Sequence, residues 1–177
     1  FTILLKEQLD NNNNVSNSIF FMKSEYINFY NNLVKLTTNK SLYKNLSNNH
    51  DIFSDRLSIF LLHFAFMLKV FKCEENKKKL QELYDFNFRQ LELSIREIGY
   101  GDQSINKKMK DYINLFHGII SEIHFWNDLE FTKKKEKLSM FLQNFNNIEY
   151  LVEYFNNFSD LLSKKKLNSY LKSVISH

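Results

Sequence analysis

From Ile105 onward the apolar positions Ile105, Met109, Tyr112, Ile113, Phe116, Ile119, Ile120 and Ile123 recur at spacings of three and four, which places them on one face of an α-helix. Leu80, Leu83, Tyr84, Phe88, Leu91, Ile95 and Ile98 repeat the pattern just upstream, with Lys78, Lys79, Glu82, Arg89 and Glu92 between them. They predict a second amphipathic helix. Met22, Tyr26, Phe29, Tyr30, Leu33 and Leu36 predict a third, and Leu138, Phe141, Leu142 and Phe145 followed by Leu151, Val152 and Phe155 predict one or two more. No segment alternates apolar and polar positions as a half-buried strand would.

Residues 57–71 break the amphipathic rule. Ile59, Phe60, Leu61, Leu62, Phe64, Ala65, Phe66, Met67, Leu68 and Val70 leave almost no polar face, so this helix is expected to be buried all round. A membrane span needs about 20 apolar residues; Arg56 and Lys69 bracket a shorter run that also contains His63, and it reads as the central core helix. Ser54 and Asp55 stand where a helix cap is expected, and Lys69 and Lys72 stand near the end where cations suit the helix dipole. The sequence thus predicts an all-α chain of at least five helices and no sheet, with 57–71 the most buried segment.

Between the two strongest amphipathic patterns lies Ile98-Gly99-Tyr100-Gly101-Asp102-Gln103-Ser104, which holds two of the three glycines in the chain. It predicts a tight corner. Gly99 suits the left-handed conformation that ends a helix, Asp102 or Ser104 suits the cap of the next one, and Gly101 is a second candidate for positive φ. The corner would present Lys107 and Lys110 on the first turns of the following helix.

Composition narrows the class. The 177 residues contain 44% hydrophobic and 16% aromatic positions, with 18 Phe, and no Pro. That is enough apolar material for one folded domain and too few turn residues for an all-β fold. Cys73, the only cysteine, allows no internal disulfide and fits a reducing compartment. The net charge of +4 is too small to imply nucleic acid by itself. Only Arg56, Arg89 and Arg96 are arginine against 21 lysines, Ala65 is the only alanine, and Asn11 to Asn14 form a run, a bias that resembles an AT-rich genome. Phe in place of an initiator Met suggests a chain that starts inside a longer product.

Catalytic and metal chemistry find little support. His117 and His124 share a helical face, but Glu122 precedes His124 by two residues rather than the three of a di-iron motif, and no second copy exists. Cys73 beside an apolar run reads as packing rather than as a nucleophile. Gly99-Tyr100-Gly101 lacks the strand and the Lys-Ser/Thr offsets of a phosphate loop. The lysine clusters 77–79, 107–110, 133–135 and 164–166 read as solvated helix faces, with Lys107 and Lys110 set apart by the corner before them.

The run from Ile95 to Lys110, followed by Phe116-His117-Gly118, resembles the ubiquinol-cytochrome c chaperone family. Phe29-Tyr30-Asn31-Asn32-Leu33, Leu42-Tyr43, Asp55-Arg56-Leu57 and Leu61-Leu62-His63 precede it in the family's order, so that the resemblance spans about Tyr26 to Phe125. Ile119 and Ile120 depart from a usual basic position, and the tail after Asp128 matches poorly. On this resemblance, 19–177 is the family's helical domain and 1–18 an extension, partly helical with an Asn-rich linker.

The resemblance implies a non-catalytic assembly chaperone for respiratory complex III, peripheral to the inner face of the energy-transducing membrane, on the mitochondrial matrix side or in the bacterial cytoplasm. Its client would be newly made cytochrome b, with a small partner assembly factor, the ribosome or an anionic membrane surface as further contacts, and with no DNA, metal or cofactor. The candidate client-binding residues it implies are Arg56, His63, Phe116 and Gly118, together with Arg96, Glu97, Gly99, Tyr100, Gly101, Asp102, Lys107 and Lys110. The competing class is a basic helical RNA- or ribosome-binding module with no cytochrome b client, suggested by the lysine clusters and a pI of 9.0.

Overall fold

The computed structural model describes residues 17–44, 46 and 53–173. Seven α-helices follow one another among them: α1 Asn17–Thr37, α2 Phe53–Phe71, α3 Lys77–Glu97, α4 Asp102–Ile123, α5 Phe131–Ser139, α6 Ile148–Ser163 and α7 Leu167–Ser173. Short 3-10 turns occur at Lys40–Tyr43 and Trp126–Asp128. The one β feature among the described residues is an isolated antiparallel bridge between Leu46 and Phe145. The expected extension 1–18 lies outside the described residues except for Asn17 and Ser18, which already belong to α1.

Helix α2 is the axis of the fold, and every residue from Leu57 to Met67 is buried. Three helices surround it, which is why no polar face is tolerated. On the α1 side Phe29 meets Phe64 edge-on at 6.0 Å and Tyr30 meets Phe60 at 5.8 Å. On the α4 side Phe64 stacks on Phe116 at 5.1 Å. On the α6 side Phe66 stacks on Phe155 at 5.0 Å and takes the Trp126 indole edge-on at 5.1 Å. Aromatic pairs in these geometries add to the burial of the rings themselves.

Several local expectations change. Ser54 and Asp55 lie in the first turn of α2 instead of capping it. Asp55 is buried there, and its carboxylate accepts a hydrogen bond from Asn144 Nδ2 at 2.9 Å. The carboxylate therefore ties α2 to the distant α5–α6 connection. Phe141, Leu142 and Phe145 continue the apolar pattern of α5 but fall in that connection, so the pattern there resolves into two helices. Helix α7 has only seven residues, and three of them, Leu167, Tyr170 and Leu171, are buried; so short a segment carries no periodic signal.

Candidate functional site

Helices α3 and α4 meet at the predicted corner. Glu97 ends α3, Ile98 caps it, and Gly99 follows at φ 94°, with its N–H donating to the Arg96 carbonyl at 3.0 Å. A side chain there would be strained by its own Cβ, so glycine is required. Gly101 is different. Its φ of −70° and ψ of 155° are extended backbone open to any residue, and it serves as the cap position of α4, its carbonyl accepting from Ile105 N–H at 3.0 Å. The expectation of a positive φ at Gly101 is thus corrected, as is that of an Asp102 or Ser104 cap, because both lie inside the first turn of α4.

Asp102 instead pairs across the corner with Arg96 Nη1. Arg96 also donates from Nε and Nη2 to Glu92 Oε1 at 3.0 and 2.8 Å. Those bonds hold the Glu92 carboxyl below its ordinary pKa, with Arg89 assisting. One guanidinium therefore joins the last turns of α3 to the first residue of α4, where a negative charge also suits the helix N-terminus.

Two large apolar side chains stand out on this corner, Ile98 at 43% exposure and Tyr100 at 45%. Ile98 belongs to the apolar stripe of α3 in sequence, but its position one residue beyond the last helical turn carries it out of the core. Lys108 Nζ lies 4.6 Å from the centre of the Tyr100 ring, a cation–π contact. Lys107 and Lys110 are exposed on the same helix. A shallow groove of about 570 Å³ lies between the middle stretches of α3 and α4, lined by Phe88, Arg89, Met109, Lys110 and Ile113 among others.

The structure divides the candidate residues into two groups. Arg96, Glu97, Gly99, Tyr100, Gly101 and Asp102 form the corner, and Lys107 and Lys110 stand exposed further along α4. Arg56, His63, Phe116 and Gly118 lie away from it. The Arg56 guanidinium carbon lies 5.6 Å from the centre of the Tyr43 ring, on the α1–α2 side of the molecule. Gly118 is half-buried, with Phe141 its nearest neighbour beyond α4. Phe116 and His63 are both fully buried and hold the core, so neither can touch a client directly.

His63 is satisfied on both ring nitrogens. Nδ1 lies 2.8 Å from the Ile59 carbonyl, which can only accept, so Nδ1 carries the proton and Nε2 accepts from the Tyr154 hydroxyl at 2.8 Å. Tyr154, Phe155 and Phe158 pack their rings around it. Burial holds its pKa down at about 4, with the bond to Ile59 opposing in part.

The lysine clusters also sort themselves. Lys79 pairs with Glu25 at 3.1 Å, Lys133 with Glu136 at 2.8 Å and Lys135 with Glu149 at 2.5 Å. Lys134 donates to Asn156 at 3.0 Å and stands over Trp126. Among the described residues no such partner engages Lys107 or Lys110. No group of three or more His, Cys, Asp or Glu side chains among the described residues could hold a metal ion. Nor is any described helix long and apolar enough to cross a membrane.

Residues 45–144, more than half of the chain, match the family model described as ubiquinol-cytochrome C chaperone. The match contains the corner and reaches through α5, beyond Asp128, so the family pattern extends further into the tail than the resemblance indicated; residues 26–44 fall outside it. No curated protein and no solved structure matches the chain.

Proposed function

The chain belongs to the ubiquinol-cytochrome C chaperone family, and from that premise we propose that it is a non-catalytic assembly factor for respiratory complex III that binds newly made cytochrome b. The observation that carries this reading is the α3–α4 corner. It lies inside the family match, is braced by Arg96 and Asp102, and exposes Ile98 and Tyr100 where a client could cover them.

The two kinds of exposed group have different uses. Ile98, Tyr100 and the apolar part of the groove between α3 and α4 suit the unassembled surface of a polytopic membrane protein. Lys107 and Lys110 suit phosphate, either of anionic lipid headgroups or of ribosomal RNA. In this reading the protein works peripherally at the inner face of the membrane, where new cytochrome b emerges, and it accepts a small partner assembly factor.

Affinity capture of the protein from native membranes tests the proposal. Cytochrome b should co-purify, and a deletion strain should lose b-type haem absorbance and quinol oxidation while other respiratory complexes are less affected. Normal b-type haem and normal quinol oxidation in the deletion strain refute it. Salt-sensitive RNA binding with no cytochrome b recovered would favour the ribosome-binding module instead.

A further inference from the structure

A second groove lies at the other end of the α3–α4 pair, about 30 Å along the helices from the corner at 1.5 Å per residue. Leu68 from the end of α2, Leu80 and Tyr84 from the start of α3 and Ile120 from the end of α4 line it, and it encloses about 790 Å³. All four are half-buried, packed on the core on one side and open on the other. That volume falls in the range of about 300–1,000 Å³ typical of small-molecule sites.

Cations line the same space. Lys69 stands in the last turn of α2, Lys72 just after it, and Lys77 opens α3. Lys77 faces a solvated Glu74 at 3.9 Å. Among the described residues Lys69 and Lys72 have no ion-pair partner. Lys69 is half-buried, and burial draws its pKa below that of an ordinary lysine, with Asp128 opposing in part and Lys134 adding to the shift. An ammonium that has shed water, with the Asp128 carboxylate acting on it only from beyond ion-pair contact, gains from a further anion brought to it. Glu74 also lines the groove but faces Lys77, so an apolar floor with Lys69 and Lys72 on its wall is complementary to a long hydrocarbon chain that ends in a negative charge.

We propose that this groove binds a fatty carboxylate, its chain lying on Leu68, Leu80, Tyr84 and Ile120 and its headgroup between Lys69 and Lys72. The site is separate from the corner and does not depend on the chaperone reading. It would give the protein a contact with lipid of its own.

Cys73, exposed on the wall of this groove and the only cysteine in the chain, supplies a direct readout. The purified full chain is titrated with sodium oleate below its micelle-forming concentration, and both the bound oleate and the rate of Cys73 alkylation by iodoacetamide are measured. The expected result is saturable binding that protects Cys73, with oleyl alcohol, which has the same chain and no charge, binding at least about tenfold more weakly. Lys69→Glu with Lys72→Glu should weaken oleate binding by at least about tenfold with the helical fold retained, while the thermal midpoint falls somewhat because two anions replace cations at the C-terminal end of α2. Should that variant unfold, Lys69→Gln with Lys72→Gln must show the weakening in its place. Oleyl alcohol bound as tightly as oleate, undiminished binding in the folded variant, or oleate binding that leaves Cys73 unprotected overturns the proposal.

Discussion

Arg96, in the last turn of α3, reaches across the corner to Asp102, the first residue of α4, while its other edge grips Glu92 one turn back. A single side chain thereby sets the junction at which Ile98 and Tyr100 are exposed. Arg96→Gln removes the brace. Because the pair stands in solvent, the thermal midpoint should move little. Backbone amides from Tyr100 to Ser104 should exchange hydrogen faster, and capture of the client should weaken. Unchanged exchange would mean that Gly99 holds the corner without Arg96.

The two glycines of the corner should respond in opposite ways. Gly99→Val forces a β-branched residue to φ 94° and should cost about 1–3 kcal/mol. Gly101→Val meets extended backbone with nothing within 4 Å of the added Cβ and should be within about 0.5 kcal/mol of neutral. Urea denaturation of both variants checks the pair, and equal losses would contradict the assigned backbone.

In the core, Leu62→Ala and Phe66→Ala should each cost about 2–5 kcal/mol, since both side chains are fully buried in α2 where surrounding helices leave little room to relax. A loss below about 1 kcal/mol at either position, read from the urea midpoint at constant slope, would place that side chain outside the close-packed core.

His63 predicts a dependence on pH. Its folded pKa is about 4 against an ordinary 6.5, so between these values the unfolded chain binds a proton that the folded chain refuses. Stability is therefore complete above pH 6.5 and declines as pH falls toward 4, by about 3 kcal/mol in all. His63→Phe keeps the aromatic packing but leaves the Tyr154 hydroxyl without its acceptor. It should lower stability at neutral pH and flatten the slope between pH 4 and 6.5. An unaltered slope in that variant would assign the titration to other groups.

At the corner, apolar and basic contacts should separate by substitution. Ile98→Ser with Tyr100→Ser should reduce recovery of cytochrome b, whereas Lys107→Glu with Lys110→Glu should reduce sedimentation with anionic vesicles or ribosomes. Neither pair should shift the thermal midpoint appreciably, since all four side chains are exposed. If the double charge reversal binds vesicles and ribosomes as wild type does, the lysines beside the corner have no role in the work of the protein.

The repeat of apolar residues was enough to determine α3 and α4 and the burial of α2, because an i, i+3, i+4 pattern follows from helix geometry alone and an all-apolar run has no face to offer water. The corner was legible for a similar reason: in a chain with three glycines, two of them separated by a single residue between helical patterns mark a backbone demand.

The chain path decided the rest. Lys79 meets Glu25, Lys135 meets Glu149 and Asp55 meets Asn144 only because separate elements of the chain are folded against one another, so sequence could not tell an engaged cation from an available one. The same path turned His63 and Phe116 from motif residues into core and carried Ile98 outward. Local periodicity specifies which residues share a face. Only tertiary packing specifies whether that face meets protein or solvent.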